Sequence, residues 1–470
     1  MGTITIGDSC EVLNGYAFKS EKYTSSGIRV IRIANVQKGY IEDDSPVFYQ
    51  TDDVDLNKYM LRENDLLVSL TGNVGRTALL TKDMLPAALN QRVACLRLKT
   101  NKITRGFLFH LLNSDYFESK CIQSSQGVAQ KNLSTEWLKS YDLPLYSLSK
   151  QNEITKILDN VRNTTILKEQ EIQKYDELIK ARFIEMFGEP VNNDKVWVKD
   201  SVERLCREIY GGGTPSKSHP EYYEGGKIPW ITSKDMKTDI LIDSQIHINE
   251  DGVANSTARI VPKNSVIMVI RSGILKHTLP VAINAVPVTV NQDLKVFVAG
   301  NRIVTKFLAY QFKMMERDIL SGVRAVTADN IEFDALKRRE LIVPPIELQQ
   351  EFADFVEQVD KSEFILEIVH LIEAQMHISI DKNSFNYSRF ASHMQYLFRR
   401  KSEYTEISST NKKLFELLKN EYPMTYQCVL GIKELIFNKF NWNIGDEELL
   451  YLILHVNRLC SHEGVTNESA

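Results

Sequence analysis

The stretch QNEITKILDNVRNTTILKEQEIQKYDELIKARFIEMFG, residues 151–188, predicts one long uninterrupted helix. It contains no proline, and its only glycine is the last residue, Gly188, which begins a Gly-x-Pro helix-stop signal. A helix of this length would extend about 55 Å, more than one compact domain needs to cover its core. The stretch therefore predicts a spacer, and a long helix packed along a single domain is the alternative.

Apolar side chains recur along this stretch at the three-and-four spacing of a coiled-coil seam. They are Ile154, Leu158, Val161, Ile172, Tyr175, Ile179 and Met186. Residues 163–165 interrupt the pattern. We expect a second helix or a partner subunit to cover the seam, because burial of apolar surface drives such pairing.

The composition is that of an ordinary soluble protein with two to four domains: 470 residues, 43% of them hydrophobic, with a formal net charge of −4. So small a net charge neither indicates nor excludes nucleic acid, because acidic residues elsewhere can offset a basic face. Six scattered cysteines predict a reducing, cytoplasmic location without a zinc site or a disulfide framework. No signal peptide and no apolar run of about 18 residues is found, so we expect no membrane anchor.

Residues 1–150 predict a mixed α/β domain. The segments Ile28–Val36 and Asn64–Gly72 have the alternating, β-branched character of strands that end in turn residues. Apolar residues follow helical spacing in Thr104–Ile122, which predicts an amphipathic helix.

Residues 195–345 repeat this order of segments. Lys227–Thr232 and Asn264–Gly273 correspond to the two strands, and Thr305–Ile319 corresponds to the helix. Matching positions lie about 200 residues apart, which predicts a tandem duplication of a whole domain with the helix that follows it.

Two further matches support the duplication. The pair Asn90–Gln91 precedes the strand VACLRL, and Asn291–Gln292 precedes the strand LKVFVA. The segment Tyr141–Ile154 likewise matches Arg339–Phe352. One interpretation is a two-domain protein whose copies once did the same task. The other is that two modules, held apart by a rigid helix, read two elements of an extended ligand such as DNA, whose groove faces recur about one helical turn apart.

Common catalytic signatures are missing from the sequence. Gly226–Lys227 lacks the flanking residues of a P-loop, and Gly211–Gly213 falls short of a dinucleotide fingerprint because Ser216 occupies its last position. The chain has no Asn/Asp-Pro-Pro-Tyr/Phe loop, no Gly-x-Ser-x-Gly and no His-Glu-x-x-His. These absences favour a binding protein and predict no bound metal, although an enzyme with an unfamiliar site stays possible.

The segment YGGGTPSKSHPEYYEGGKIPWITSKDM, residues 210–236, combines flexible glycines, polar side chains and aromatic rings. It closely resembles the start of a target recognition domain in the DNA specificity subunits of type I restriction-modification systems. The segments VPPIELQQEFADFV (residues 343–356) and LNGYAFKSEKY (residues 13–23) are also similar to that family. The resemblance covers residues 1–362.

The resemblance implies a domain layout and a function. Residues 1–150 and 195–345 would be two target recognition domains, residues 151–188 the central coiled-coil helix, and residues 346–363 the start of a second conserved helix. Such a subunit reads a bipartite site on double-stranded DNA. It holds two methyltransferase subunits, which use S-adenosylmethionine to methylate adenine N6, and a restriction subunit that uses ATP and Mg can join them. The subunit itself binds no cofactor and is not an enzyme.

Polar residues after the first strand of each module and in the following loops are the candidates for DNA contact. The candidates are Lys19, Arg32, Asn35, Arg76, Asn90 and Gln91 in the first copy, and Thr214, Lys217, Thr232, Lys234, Arg271, Lys276 and Asn291 in the second. For each, the alternative is a solvated surface residue or a turn-former.

The C-terminal part resembles a different family, the phosphotransferase regulation domain of bacterial antiterminators. The matching segments are Asn383–His393, Asn420–Cys428 and Asp446–Arg458, which predict an all-α helical bundle over residues 365–462. The resemblance implies that His393 and His455 accept phosphate from the sugar phosphotransferase system; the alternative is that they are core histidines. RNA antitermination is not expected, because the RNA-binding domain of that family is missing.

The junction near residues 361–364 resembles a fusion of two unrelated genes. We expect the second conserved helix to persist for only about four turns, to about Glu363, before the helical bundle begins. The rival to the DNA-reading function is a sugar-responsive regulator controlled by histidine phosphorylation.

Overall fold

The computed structural model describes residues 2–50, 55–125, 132–322, 324–325, 329–400 and 411–463. Contacts divide the chain into two compact units, Met1–Gln170 and Glu171–Ala470. The first unit contains one α/β module, and the second contains another α/β module and an all-α domain. The predicted class, α/β (α+β) followed by a helical bundle, is confirmed.

The first module is built from short strands and helices. Its strands are β1 (Gly2–Thr5), β2 (Cys10–Asn14), β3 (Ile28–Ile31), β4 (Phe48–Tyr49), β5 (Leu66–Ser69), β6 (Thr77–Leu79), β7 (Ala87–Leu89), β8 (Val93–Leu98) and β9 (Asp142–Leu145). Its helices are α1 (Ile6–Ser9), α2 (Arg105–Leu112), α3 (Asp115–Ser124) and α4 (Thr135–Ser140), and the long helix α5 (Leu148–Phe187) follows them.

The second module repeats these elements and adds three strands and one helix. Its strands are β10 (Lys199–Ser201), β11 (Cys206–Gly211), β12 (Ile228–Ile231), β13 (Ile240–Leu241), β14 (His247–Ile248), β15 (Val266–Val269), β16 (Val281–Asn284), β17 (Thr289–Val290), β18 (Leu294–Ala299), β19 (Arg324–Ala325), β20 (Asp329–Asn330) and β21 (Glu340–Ile342). Its helices are α6 (Val202–Leu205), α7 (Glu250–Ala254), α8 (Thr305–Met314), α9 (Glu316–Ser321) and α10 (Phe333–Arg338).

The two modules share one sheet topology. The larger sheet has the order β2-β8-β5-β6 in the first module and β11-β18-β15-β16-β13 in the second, where only β13 is extra. The smaller sheets, β4-β3-β7 and β14-β12-β17, each pair a central strand antiparallel on one side and parallel on the other. The first and last strands pair as β1 with β9 and as β10 with β21. The duplication predicted from the sequence is therefore present in the fold.

The prediction of one amphipathic helix in each module was wrong in detail. In the first copy the helix divides into α2 and α3, because the Ser114 hydroxyl accepts a hydrogen bond from the Phe117 amide and starts a new helix. In the second copy the division into α8 and α9 falls at Met315. The predicted strands are also shorter than expected: Ile28–Val36 contains β3 and then a 3-10 turn at Ile33–Asn35.

The long helix predicted from the sequence is confirmed as α5, whose 40 residues run from Leu148 to Phe187. It ends where predicted, because Gly188 takes a φ of +76°, a left-handed conformation that glycine adopts without steric cost. At about 1.5 Å per residue the helix is roughly 60 Å long.

The predicted seam of α5 is covered only in part. Near the start, Ile154 packs against the core of the first module. Near the end, Ile179, Phe183 and Phe187 are buried in the core of the second module; the last two are aromatic seam positions that the sequence pattern had not singled out. The predicted seam residues that stay exposed lie between these ends: Leu158, Val161 and Ile172.

The expectation that the second conserved helix ends near Glu363 was wrong. Helix α11 runs without a break over 31 residues, Ile346–Met376, and ends at His377 in the left-handed conformation. Its early residues, such as Phe352, are buried in the core of the second module, whereas Phe364 and Ile372 are buried in the core of the helical domain. One helix therefore serves both domains across the apparent junction.

Helix α11 runs antiparallel to the last part of α5. Arg182 forms an ion pair with Glu351 at 3.0 Å, and further back along α5 Glu171 lies 3.8 Å from His370. Glu171 also pairs with Lys382 at 3.3 Å, just beyond α11. The N-terminal part of the all-α domain therefore contacts α5 at Glu171.

The helical domain contains α12 (Phe385–Arg400), α13 (Lys412–Glu421), α14 (Pro423–Phe440) and α15 (Asp446–Glu463), packed with the end of α11. Its core is aliphatic and aromatic, with Phe390, Ile432 and Leu452 fully buried. The predicted all-α character of residues 365–462 is confirmed for the part of this range that the structure describes.

Candidate nucleic-acid interface

The predicted residue Asn90 lies where three backbone segments of the first module meet. Its amide donates to the carbonyl of Ile31 at the end of β3 (3.1 Å), and the amide of Gln91 donates to the carbonyl of Tyr16 (2.9 Å). A Cβ at Gly15 would collide with the backbone of Asn90. Glycine is required here because the two chains approach so closely.

Asn291 occupies the same position in the second module. Its amide donates to the carbonyl of Ile231 at the end of β12 (3.0 Å), and a Cβ at Gly212 would collide with the carbonyl oxygens of Val290 and Asn291. Both asparagines are less than a tenth exposed. They hold the turn in place, and the residue that follows each of them, Gln91 or Gln292, is exposed.

The other first-copy candidates are tied into the loops around this turn. Asn35 is buried, and its amide group donates to the Glu42 carbonyl (2.8 Å) and the Asp43 carboxylate (2.9 Å). Arg32 donates to the Ser45 carbonyl (2.9 Å), while its buried Nε has no hydrogen-bond partner. An unpaired buried donor of this kind destabilises the fold.

Arg76 is half-buried and donates to the Gln37 side chain. Lys19 and Gln91 are exposed at loop positions. The first-copy candidates therefore divide into buried residues that shape the loops and exposed ones that are free to face a ligand.

In the second module, two candidates share one carboxylate, and two others form separate side-chain hydrogen bonds. Arg271 forms a two-point ion pair with Asp293 (2.8 and 2.7 Å), and the Asn291 side chain donates to the same carboxylate (3.0 Å). The Thr214 hydroxyl bonds to Gln292, next in sequence to Asn291. Thr232, which follows Ile231, donates its hydroxyl to Asp235 (2.7 Å).

The lysine candidates are exposed, and the Lys234 amide donates to the Thr232 hydroxyl (3.3 Å). Lys217, Lys234 and Lys276 are exposed in separate loops. None of the thirteen assignments to DNA contact is tested by the fold alone, so they stay predictions. A role in DNA contact is better supported for exposed positions such as Lys217 than for Asn35, Asn90 and Asn291, whose side chains already form hydrogen bonds within the module.

The sequence reasoning missed a group of cations beside the glycine segment. Lys295 lies opposite Gly211 in the β11–β18 pair, and its ammonium and that of Lys337 lie 4.6 and 4.5 Å from the Phe333 ring centroid. Burial, followed by repulsion from Lys337 and Arg271, lowers the pKa of Lys295. Cations held this close favour an added anion such as a phosphate. The signal in the sequence was a lysine inside the otherwise apolar strand LKVFVA.

The two histidine candidates of the helical domain lie face to face. The rings of His393 on α12 and His455 on α15 stack with centroids 4.3 Å apart. Burial, then the charges of His393, Arg389 and Arg458, lower the pKa of His455 to about 4. Both histidines are partly buried, and the phosphorylation assignment and its core-histidine alternative both stay predictions.

Three general findings bear on other classes of function. All six cysteines are free thiols. Among the described residues, no group of three or more His, Cys, Asp or Glu side chains is arranged to hold a metal ion. No helix in the described part of the chain is long and apolar enough to cross a membrane.

Comparison with known proteins identifies two families. Residues 1–175 and 199–374 match the model of the type I restriction modification DNA specificity domain. Residues 366–459 match the PRD domain. The two matches overlap within α11, in agreement with a helix that serves both domains.

Individual relatives fall into the same two groups. The chain is 29% identical over 245 residues to the EcoR124I/EcoR124II specificity subunit of Escherichia coli, which covers 48% of this chain and 58% of that protein. It is 34% identical over 164 residues to the EcoAI specificity subunit of the same organism, covering 34% of this chain and 28% of that protein. A beta-glucoside operon antiterminator of Dickeya chrysanthemi is 26% identical over 95 residues, covering 20% of this chain and 34% of that protein.

The chain thus spans less than two thirds of the length of these curated relatives. The specificity-domain model nevertheless matches well over half of its residues, in both modules and in both long helices. The chain therefore belongs to the type I restriction modification DNA specificity domain family, and it carries a PRD domain at residues 366–459.

Proposed function

We propose that this protein is the DNA specificity subunit of a type I restriction-modification complex. Each α/β module reads one half of a bipartite site on double-stranded DNA, and α5 sets the distance between the halves. The chain itself does no chemistry. It docks two methyltransferase subunits, which methylate adenine N6 with S-adenosylmethionine, and restriction subunits, which use ATP and Mg for cleavage.

The observation that carries this proposal is the repetition of one module in one chain. The same strand order and the same asparagine-centred turn, at Asn90 and Asn291, occur before and after α5. Two equivalent readers suit a duplex, whose groove faces recur at fixed intervals. A 40-residue helix is stiff enough to act as the spacer between them.

The cations of the second module support the choice of DNA. Burial, and then repulsion from Lys337 and Arg271, lowers the pKa of Lys295, so these cations form a local positive group although the whole chain carries a net charge of −4. Phosphate contacts of this kind supply affinity, and base contacts from the neighbouring loops supply sequence specificity.

A methylation map tests the proposal. The chain would be expressed with its methyltransferase subunit in a host without adenine methylation, and methylated adenines would be mapped across the genome. We expect one split motif that disappears when the chain is omitted. No motif, or a motif that persists without the chain, would refute the proposal.

The histidine stack favours a second function for the C-terminal domain. We propose that His393 or His455 accepts a phosphoryl group from a phosphorylated carrier of the sugar phosphotransferase system. An imidazole that is neutral at pH 7 is a competent nucleophile, and Arg389 and Arg458 supply positive charge near the product phosphate.

Incubation with phosphorylated carrier protein tests this second function. The wild-type chain is expected to be labelled, and a His393→Ala/His455→Ala variant is expected to remain unlabelled. The variant His247→Ala, which removes a partly exposed histidine of the second module, is the matched control and should be labelled like wild type. Label retained by the double variant would exclude these two histidines.

A further inference from the structure

One face of α5 carries a row of polar side chains where it packs on the first module. Gln151, Thr155, Asp159 and Arg162 are spaced by four, four and three residues, so they share one face of the helix. All of their contacts described below lie within the first unit. We call Gln151, Asp159 and Arg162 the polar seat of this module.

Gln151 is the innermost member and is fully buried. Its side-chain oxygen accepts from the Thr104 amide (2.8 Å), and its side-chain nitrogen donates to the carbonyls of Lys102 (2.8 Å) and Tyr146 (2.9 Å). These backbone groups belong to the turn before α2 and to the segment after β9. One side chain therefore fixes the first turn of α5 to two separate parts of the module.

The outer members fix the helix further along its length. Asp159 Oδ1 lies 2.7 Å from His110 Nε2, and Arg162 donates to the Gly39 carbonyl at 2.9 Å. The Arg162 guanidinium also lies 5.0 Å from the Phe109 ring centroid. These contacts reach α2 and a loop near β3, over about three turns of α5.

The close approach of α2 and α5 restricts the position of α5 along the first module. A Cβ at Gly106 of α2 would lie only 2.6 Å from Thr155 Cγ2, so the two helices touch at a glycine. A slip of α5 by one turn would displace it about 5.4 Å and break every contact of the seat. One base pair of DNA rises about 3.4 Å, so even a single-turn slip exceeds one base pair.

Only part of the seat is repeated in the second module. Gln349 is fully buried and makes the same three contacts, with the Val304 amide and the carbonyls of Arg302 and Pro344. The positions that correspond to Asp159 and Arg162 are Glu357 and Asp360, which make different contacts. The outer part of the seat is therefore a property of the first module.

We propose that Gln151, Asp159 and Arg162 are positioning residues that fix where the first module sits along α5, and thereby how many unread base pairs separate the two half-sites. This inference rests on the proposed DNA-reading function. The seat acts through the module's position and touches no base, so its loss changes the spacer that is accepted and leaves the half-site sequences unchanged.

The test uses the complete complex with its methyltransferase and a set of DNA substrates. The substrates carry the two half-sites at the native spacing and at spacings one base pair shorter and longer. We expect an Asp159→Ala/Arg162→Ala variant to raise methylation of the non-native spacings, relative to the native one, by about fivefold, in line with the loss of one net hydrogen bond. Methylation within each half-site should keep its sequence preference.

A matched control separates this effect from a general loss of charge. Lys150 and Glu153 form an exposed ion pair on the same part of α5 (2.8 Å), and a Lys150→Ala/Glu153→Ala variant should keep the wild-type spacing preference. Thermal melting of each complex reports folding, and Asp159→Asn/Arg162→Lys provides a milder second pair.

The outcomes are distinct. A folded double variant that still accepts only the native spacing overturns the inference, and so does an equal loss of methylation at every spacing. If neither variant pair folds, the residues are structural and the positioning role is refuted. A wild-type complex that reads no split site would refute the proposed function, and with it the role of the seat.

Discussion

The two ends of α5 are attached to their modules by different chemistry. At the first module the helix is held by the polar seat of Gln151, Asp159 and Arg162, whose partners include four backbone groups. Only one seam residue there, Ile154, packs on the module's core. The attachment is directional, because a hydrogen bond requires its donor and acceptor to lie within a narrow range of distance and angle.

At the second module the helix is held by aromatic rings. Phe183 and Phe187 of α5 pack with Phe307 of α8 and Phe352 of α11, with ring centroids 4.7 to 5.8 Å apart, and all four are fully buried. Such a cluster contributes much apolar burial but tolerates small shifts better than a hydrogen-bond network does.

The difference shows that one duplicated fold uses two kinds of attachment. Burial of the four rings stabilises the attachment of α5 to the second module, whereas we propose that the polar seat fixes the register of α5 on the first module. Gln349 repeats the contacts of Gln151, but it lies at the start of α11, the long helix that follows the second module. The shared glutamine fixes where each long helix starts, and the divergent residues decide how firmly it is held.

The largest expected effect comes from breaking the aromatic end. Phe187→Ala removes a ring that contacts three others, and we expect the second unit to lose about 3–5 kcal/mol of unfolding free energy, the usual result of truncating a buried phenylalanine. Denaturant unfolding of the full chain, followed by tryptophan fluorescence from Trp197 and Trp230, would measure the loss.

Ile184→Ala is the control for this experiment, because Ile184 lies on the same helix but is exposed. Its expected effect is within about 0.5 kcal/mol. Equal effects of the two substitutions would show that the ring cluster does not carry the attachment.

A smaller effect is expected at the shared glutamines. Gln151→Leu leaves the Thr104 amide and two carbonyls buried without partners, so we expect a loss of about 1–3 kcal/mol in the first unit. Gln349→Leu should cost about the same in the second unit. Asn152→Leu and Gln350→Leu change exposed neighbours and serve as controls. Hydrogen exchange at Thr104 and Val304 would locate each loss, and protection unchanged in the variants would contradict this account.

Much of the fold could be predicted from the sequence, because its signals are local and occur twice. The absence of helix breakers defined α5, and Gly188 marked its end. The strands VACLRL and LKVFVA were placed correctly as β8 and β18. The 200-residue repeat indicated a duplicated module before any contact was known.

The errors have physical reasons. We expected the second conserved helix to end near Glu363 because the sequence begins to resemble a different family at about Phe364. No helix-breaking residue occurs there, and α11 continues. Burial of Asn35, Asn90 and Asn291 was missed because a polar side chain in a turn looks the same whether it bonds to backbone or to ligand. The Lys295 group depends on pairing between distant strands, which one sequence does not reveal.

The smallest expected effect concerns Asp360, a residue of α11 near the second module. Asp360 of α11 corresponds to Arg162 of the polar seat, and its carboxylate lies 3.4 Å from the Lys306 ammonium. Burial nevertheless raises the pKa of Asp360, because it outweighs the attraction of Lys306, and Asp239 adds to the rise. The folded chain therefore favours the protonated carboxyl. The stabilisation this gives is fully present below the ordinary aspartate pKa and is lost as the pH rises through the raised pKa.

We therefore expect Asp360→Asn to be slightly more stable than wild type at neutral pH. The gain should stay below about 1 kcal/mol, because the site is partly exposed and solvent screens it. It should vanish below about pH 4, where the wild-type carboxyl is also neutral. Denaturant unfolding between pH 4 and pH 8 would measure it, with the exposed Asp354→Asn as control. A variant that is less stable than wild type at neutral pH would mean that the Lys306 pair outweighs burial, and that the second module, like the first, depends on a polar contact at this position.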